Sequence, residues 1–368
     1  MTACLLIDWN NTEQMIKKRI ICAVSVLLVL AALLWSATLV LEPKYASQSR
    51  EGNLVAEYYG EVDAGNTHQV IFVGDCEVYE SFVPAVLWEE YGITSYVRGS
   101  AQQLIWQSYY LLEEMLEYET PEVVVFNVLS MKYGDPQNEA YNRMTLDGMR
   151  WSKSKVGAIN ASMTDEETFA SYIFTLLRYH SRWSELSGED FKYMLSRPQV
   201  AYNGYMIQTG IKPMESEREG DELFDYTLPS VSFDYLDKMR ELCAEKGIEL
   251  VLIKSPTNTW KYWWYDEWDK QICDYAEKYG LDYYNFIGNE AIGIDWSTDT
   301  YDGGVHLNVF GAEKMTSHFG QLLAEKYGVE SLKTDKEIGA VWDKKLSEYK
   351  TAKQDMMEVS VKASSSRQ

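Results

Sequence analysis

Short apolar runs that alternate with helical patterns constrain the fold of this chain more than any other feature. Five runs rich in Val, Ile, Tyr and Phe read as strands, at residues 69–74, 93–99, 123–129, 248–256 and 281–288. Segments with helical periodicity separate most of them, which is typical of parallel strands joined by crossover helices. The third run, VVVFNVL, is apolar at nearly every position, as expected when both faces of a sheet are covered. The sequence therefore predicts an α/β fold with one parallel sheet and helices on both faces.

The alternation stops between Lys132 and Ser232, where helical patches occur without a convincing strand pair. We interpret residues 132–232 as a mainly helical insert. Residues 42–66 are polar and show no clear period, so they are predicted to form a stalk. A helix that ends at Gly328 closes the α/β part, and one more helix is expected to reach about Lys353 before a disordered tail.

An uncharged run of 22 residues, Ile20–Leu41, precedes this α/β part. A helix of that length covers the hydrocarbon layer of about 30 Å. Lys17, Lys18 and Arg19 stand directly before it, which favours a cytoplasmic N-terminus. The alternative is a cleaved signal peptide, whose apolar region is usually shorter. The run predicts a single-pass membrane anchor with the main domain outside the cytoplasm.

The predicted layout follows from these boundaries. It comprises a cytoplasmic segment at 1–19, a transmembrane helix at 20–41, the stalk at 42–66, the α/β domain at 67–330, and a C-terminal helix with its tail at 331–368.

Charge and cysteine content exclude several classes of function. From Glu51 onward, 29 basic and 53 acidic side chains give a net charge of −24, so the basic footprint that nucleic acid requires is absent. Five cysteines without a CxxC pair argue against a zinc ribbon or a thioredoxin-type site. With only four histidines as well, the sequence predicts neither a metal site nor a cofactor.

Chemically active residues follow the predicted strands at the edge where ligands bind in open α/β sheets. The first strand runs into Asp75 and Cys76, and a late loop carries Asp302 and His306. A thiol at a helix N-terminus, an imidazole that takes its proton and a carboxylate that holds the imidazole together suit acyl transfer. Asp299 is an alternative orienting carboxylate. Further candidates at this edge are Gly99 and Asn127 as oxyanion donors, and Asp75, Arg98, Lys254 and Trp260 as substrate-binding residues.

The order of these residues resembles the SGNH/GDSL hydrolase superfamily over about residues 67–330. More closely, the chain is similar to membrane-anchored SGNH-like proteins of Gram-positive bacteria that handle acyl esters of envelope polymers. The resemblance implies a flavodoxin-like three-layer sandwich with Cys76 as nucleophile, His306 as base, and Gly99 and Asn127 as oxyanion donors. Two departures stand out: the family nucleophile is a serine, and three residues instead of two separate Asp302 from His306.

Two functions remain open on this basis. The first is an extracytoplasmic esterase or O-acyltransferase that acts on an ester-bearing envelope glycopolymer, with an acyl-donor membrane protein as a further partner. Aromatic residues near Trp260 suit contact with sugar faces. The second is a non-catalytic scaffold of the same fold that binds a glycan or an assembly partner. Both place the protein in the cell membrane and exclude nucleic acid as a partner.

Overall fold

The chain divides into two units in a computed structural model that describes residues 3–42, 46–195, 199–215, 220–258 and 264–365. The first, which we call the N-terminal unit, comprises residues 1–48 and 170–198. The second, the sheet unit, comprises residues 49–169 and 199–368. The predicted insert is therefore helical but not one body, because its middle part belongs to the N-terminal unit.

A five-stranded parallel sheet confirms the predicted fold class. Its strands are β1 Val70–Gly74, β2 Ser95–Gly99, β3 Val123–Asn127, β4 Glu249–Lys254 and β5 Asp282–Asn285. The strand order is β2-β1-β3-β4-β5, the flavodoxin-like order. The order reverses at β1, which pairs with β2 on one side and β3 on the other. The residues that follow β1 therefore lie at the switch point where such sheets bind ligands.

Fourteen α-helices lie within the described residues. They are α1 Ala3–Leu41, α2 Ala46–Ala64, α3 Cys76–Tyr79, α4 Pro84–Tyr91, α5 Ile105–Met115, α6 Glu139–Leu146, α7 Lys153–Ser162, α8 Phe169–Ile173, α9 Leu176–Tyr179, α10 Gly188–Leu195, α11 Ser230–Lys246, α12 Asp266–Tyr279, α13 Val309–Glu325 and α14 Lys336–Ser365. Short 3₁₀ turns add Val128–Lys132, His180–Ser184 and Glu290–Ile292.

The two faces of the sheet carry separate apolar cores. In β1, Val70 and Phe72 pack with α4 and α13, whereas Ile71 and Val73 pack with α5, α11 and α12. This division follows from the two-residue period of a strand, which sends alternate side chains to opposite faces. Burial of both faces explains the continuous apolar runs in β1 and β3.

The prediction that residues 42–66 form a stalk is wrong. Helix α2 occupies most of this segment, and Leu54, Val55, Tyr58 and Tyr59 on it are buried in the sheet unit. Their spacing repeats at four residues, which is a helical stripe set among polar neighbours. The polar composition concealed this stripe, because only one face of α2 meets the core.

The C-terminal helix is also longer than predicted. Helix α14 continues past Lys353 to Ser365, so the segment expected as a disordered tail is helical over most of its length. Trp342 and Tyr349 on this helix are buried, which fixes it on the sheet unit.

The N-terminal unit is built on α1, which holds the predicted membrane span. Within Glu13–Leu41 the helix is long and apolar enough to cross a bilayer, and it is one such helix among the described residues. The same properties fit a signal sequence near an N-terminus. This helix is compatible with a single-pass membrane anchor.

Candidate active site

Cys76 stands at the turn between β1 and α3. β1 ends at Gly74, and Asp75 is the N-cap of the helix that begins at Cys76. A Cβ at position 74 would lie 2.5 Å from Cγ2 of Val78, so the turn requires glycine there. A Cβ on Gly99, at the end of β2, would lie 2.9 Å from the carbonyl oxygen of Gly74. The two glycines let neighbouring strand ends approach closely beside the thiol.

Cys76, His306 and Asp302 form a hydrogen-bonded row at this edge of the sheet. Nε2 of His306 lies 3.1 Å from Sγ of Cys76, and Nδ1 of His306 lies 2.6 Å from Oδ2 of Asp302. Oδ1 of Asp302 also accepts the backbone N–H of His306 at 3.0 Å, which fixes the carboxylate. The structure thus brings together three residues that the sequence spreads over 230 positions. The row has the order of nucleophile, base and orienting carboxylate.

The loop before His306 decides which carboxylate orients the imidazole. Positions 303 and 304 are both glycines with φ of +91° and +90°, a conformation that other residues rarely adopt. The loop therefore turns back within three residues, and the longer spacing still seats Asp302 on His306. Asp299, the alternative, is engaged elsewhere: its Oδ2 lies 2.6 Å from Nζ of Lys314. Of the two carboxylates, Asp302 is the one whose contact with the imidazole suits this role.

A second carboxylate beside the imidazole escaped the sequence analysis. The Glu80 side chain is 5% exposed, and its Oε2 lies 3.6 Å from Nδ1 of His306. The Tyr301 hydroxyl lies 2.8 and 2.9 Å from the two Glu80 oxygens, and its ring stacks on that of His306 with centroids 6.3 Å apart. The signal was present in the sequence, since Glu80 follows Cys76 by about one helical turn.

These neighbours set the protonation of the row. Burial raises the pKa of the Cys76 thiol, and the nearby His306 offsets this only in part. Burial acts to lower the pKa of His306, but Cys76, Glu80 and Asp302 outweigh it and hold this pKa well above its usual range. Burial acts to raise the pKa of Asp302, yet its bonds to His306 keep this pKa below the ordinary value. Asp302 therefore stays ionised, and His306 favours its protonated form.

A buried ion pair lies next to Cys76 in the sequence and involves Glu77 and Lys254. Nζ of Lys254 lies 2.8 Å from both carboxylate oxygens of Glu77 and donates to the carbonyl of Ser255 at 2.9 Å. Neither charged side chain is more than 1% exposed. The ammonium hydrogens are engaged within the protein, so the prediction that Lys254 binds substrate is corrected. Lys254 instead neutralises Glu77, the residue that follows Cys76.

Asn127, at the end of β3, belongs to the same network. Its Nδ2 donates to Glu77 at 2.9 Å and to Asp75 at 3.1 Å, and its Oδ1 accepts the backbone N–H of Ser255 at 3.1 Å. Both amide hydrogens are used, which corrects the expectation that Asn127 supplies one to an oxyanion. Gly99 stays a prediction for that role.

Arg98 was expected to bind substrate, but it is a structural residue. Its side chain is 1% exposed, and Nη2 lies 3.3 Å from Oε2 of Glu114. Nη1 donates to the carbonyl of Val55, and the guanidinium lies 4.4 Å from the ring centroid of Tyr58. Arg98 therefore ties β2 to α2 and α5. Its neighbours satisfy a buried charge that would otherwise destabilise the fold.

Asp75 was also expected to bind substrate, and it too faces inward. Its side chain accepts the backbone N–H of Glu77 at 3.1 Å, in addition to the bond from Asn127. Burial and the neighbouring Glu77 charge raise the pKa of Asp75 to about 7. An unfolded aspartate titrates near 4, so between these values the folded state binds the extra proton. Stability therefore falls as pH rises through this window.

Replacement of Asp75 by asparagine tests this linkage. Asn keeps the capping oxygen and removes the charge. We expect the substitution to raise the free energy of unfolding by more at about pH 8 than at about pH 5, with a difference on the order of 2 kcal/mol. Urea unfolding followed by tryptophan fluorescence at the two pH values measures it. An equal change at both would contradict the assigned titration.

Trp260, which was predicted to bind substrate, lies outside the described residues. Lys132 is partly buried, and burial lowers its pKa to about 8 against the opposing attraction of Glu77, Asp75 and Cys76. A cation thus stands within electrostatic reach of Cys76. Within the described residues, no group of three or more His, Cys, Asp or Glu side chains is placed to hold a metal ion.

Comparison with known proteins adds little to this geometry. A protein-family model matches residues 222–328, a part that includes β4, β5 and His306. No curated protein sequence matches the chain. Among solved structures, the chain is similar to a protein assigned as an acylhydrolase from Bacteroides fragilis, with 12% identity and a TM-score of 0.36. This similarity covers 74% of the present chain and 98% of the other. A GDSL-like lipase from Bacteroides thetaiotaomicron gives 14% identity, a TM-score of 0.35, and coverage of 75% and 98%.

Proposed function

We propose that the protein is an SGNH-type esterase or O-acyltransferase that works through an acyl-Cys76 intermediate. The observation that carries the proposal is the row in which Sγ of Cys76, the His306 imidazole and the Asp302 carboxylate are joined at 3.1 and 2.6 Å. The row lies at the switch point of the sheet, and Cys76 is partly exposed there. A nucleophile, a base and an orienting carboxylate are the parts that acyl transfer needs.

The first half-reaction forms the thioester. Nε2 of His306 takes the thiol proton, and Sγ of Cys76 attacks the carbonyl carbon of the ester. The tetrahedral intermediate collapses as the carbon–oxygen bond breaks, and the departing alcohol receives the proton from His306. Asp302 stabilises the imidazolium in between. The products are a free alcohol and an acyl group on sulfur.

The second half-reaction returns the enzyme. His306 removes a proton from water or from an acceptor hydroxyl, whose oxygen attacks the thioester carbon. The carbon–sulfur bond breaks, and the thiolate takes the proton back from the imidazolium. Water as acceptor gives hydrolysis, and a sugar or polyol hydroxyl gives acyl transfer.

The acidic charge and the apolar α1 guide the proposed location and substrate. We place the sheet unit outside the cytoplasm, held by α1, and assign an ester-bearing envelope glycopolymer as the substrate. A net charge of −24 after Arg50 disfavours polyanions, so acyl esters on neutral or cation-bearing polymer units fit this surface best. An acyl-donor membrane protein stays a further predicted partner.

Covalent capture of the intermediate tests the proposal. The full chain in detergent micelles is mixed with p-nitrophenyl acetate, quenched in acid and mapped by peptide mass spectrometry. We expect a burst of nitrophenol and an acetyl group on the Cys76 peptide. Cys76→Ala should abolish both signals, whereas Cys273→Ala, which removes an exposed thiol, should preserve them. Unchanged turnover in Cys76→Ala would exclude the proposed nucleophile.

A non-catalytic scaffold is the second candidate. The raised pKa values of Cys76 and His306 favour it, because a thiol beside an imidazolium is a poor nucleophile at neutral pH. A scaffold predicts that Cys76 acetylates no faster than the exposed Cys273 in the same sample. Faster acetylation of Cys76 would exclude this reading.

A further inference from the structure

The N-terminal unit exposes a group of large apolar side chains that the proposed reaction does not use. Their exposed fractions lie between 51% and 73%. We call them the juxtamembrane face, and they are Ile173, Phe174, Leu177, Trp183 and Phe191. Large apolar side chains exposed within one short segment are typical of a surface that contacts a protein or a lipid.

Polar contacts fasten this segment to the C-terminal end of α1. Arg182 is buried, and its Nη1 donates to the carbonyl oxygen of Leu41 at 2.6 Å while Nη2 lies 3.1 Å from Oδ1 of Asp190. Thr175 donates its hydroxyl to Glu42 at 2.7 Å. The last turn of a helix has carbonyl groups without helical partners, and Arg182 satisfies one of them. The juxtamembrane face therefore sits at a fixed place on α1.

That place coincides with the end of the apolar span. The uncharged run ends at Leu41, and a 22-residue helix spans roughly the 30 Å of the hydrocarbon layer. Side chains of α1 from Ile20 to Trp35 are exposed in the structure, whereas residues 37–42 are half-buried by the segment that carries Arg182. The helix would thus leave the hydrocarbon at the point where the juxtamembrane face is attached.

Charge and side-chain type fit a lipid surface. Residues 170–198 contain four basic and three acidic side chains, whereas the chain from Glu51 onward carries −24. This segment therefore lacks the negative charge that would repel anionic headgroups. Trp183 is 73% exposed, and tryptophan is enriched where the bilayer meets water.

From these observations we infer that the juxtamembrane face lies in the headgroup region of the outer leaflet of the membrane that α1 crosses. Buried apolar area supplies the affinity, as in interfacial helices that lie on a bilayer. The inference requires α1 to span the bilayer, but it does not depend on the chemistry of Cys76, so failure of the acylation test leaves it standing.

Spin labels measure the depth of the face. The full chain, with its native cysteines replaced by alanine, is reconstituted in vesicles of phosphatidylethanolamine and phosphatidylglycerol. Single variants Leu177→Cys, Trp183→Cys and Phe191→Cys report on the face. Glu185→Cys, on the same unit and largely exposed, is the polar control, and Val29→Cys marks the hydrocarbon. Each label is tested for collision with oxygen, which enriches in lipid, and with a nickel chelate, which stays in water.

Labels at the three face positions should collide more with oxygen than with nickel, as Val29→Cys does, while Glu185→Cys shows the reverse order. Nickel-dominated collisions at the face, with Val29→Cys in lipid, would overturn the inference. Nickel-dominated collisions at Val29→Cys would overturn it as well, because α1 would not span the bilayer. Loss of both collisions with spin–spin broadening would instead assign the face to a second copy of this chain.

Discussion

Replacement of His306 by alanine is expected to slow acetylation of Cys76 by ~10²–10⁴-fold at neutral pH, the usual range for a lost general base. The imidazole lies 3.1 Å from Sγ and lowers the thiol pKa against the effect of burial. Without it, the pKa of Cys76 rises further, and the thiolate fraction falls. Pre-steady-state release of nitrophenol from p-nitrophenyl acetate measures the rate.

The pH dependence separates this role from simple damage to the fold. Because the pKa values of both Cys76 and His306 are raised, the pair must lose a proton before attack, and the wild-type rate should climb as pH rises above neutrality. In His306→Ala the climb should move to higher pH. His180→Ala removes an exposed histidine outside the row and should match the wild type. Identical pH profiles for His306→Ala and the wild type would contradict the assigned role.

Replacement of Lys254 by methionine is expected to lower the free energy of unfolding by about 3–5 kcal/mol, the usual cost of breaking a buried ion pair. Both charged groups are at most 1% exposed, so the carboxylate of Glu77 would stay buried without its ammonium partner. Chemical unfolding followed by tryptophan fluorescence measures the loss.

Matched variants isolate the ion pair. Glu77→Gln combined with Lys254→Met removes both charges and should recover most of the lost stability. Lys270→Met breaks an exposed ion pair with Asp274 and should leave the unfolding midpoint close to that of the wild type. A Lys254→Met protein as stable as Lys270→Met would show that the buried pair does not support the fold.

The sheet was predictable because each strand can be recognised from the pattern of its own short segment of sequence. Each predicted run contains its observed strand, and the order of chemical groups at the strand ends needs only the rule that parallel strands share one carboxyl edge. The rule therefore predicts that Cys76 and His306 lie at one edge of the sheet. The flavodoxin-like order follows the resemblance rather than the periodicity.

The roles of the polar residues near that edge were not predictable, because they depend on where each side chain points. Lys254 and Asn127 end neighbouring strands and were interpreted as ligand-facing, yet both turn to Glu77. The sequence does not show that the Glu77 carboxylate, next to Cys76, is buried. A buried carboxylate is stable only when a cation or a hydrogen-bond donor contacts it. Lys254 and Asn127 at the strand ends supply these contacts to Glu77. In the same way, the buried charges of Arg98 and Glu114 lie in contact and compensate each other.

The contact between Cys76 and His306 must form late in the folding of this chain. Cys76 and His306 are 230 positions apart along the chain, and His306 follows the last strand of the sheet. A chain that has emerged only as far as β3 carries the Cys76 thiol without the His306 imidazole. The thiol gains its hydrogen bond to Nε2, which the proposed reaction requires, only when the final loop and α13 have closed onto the sheet.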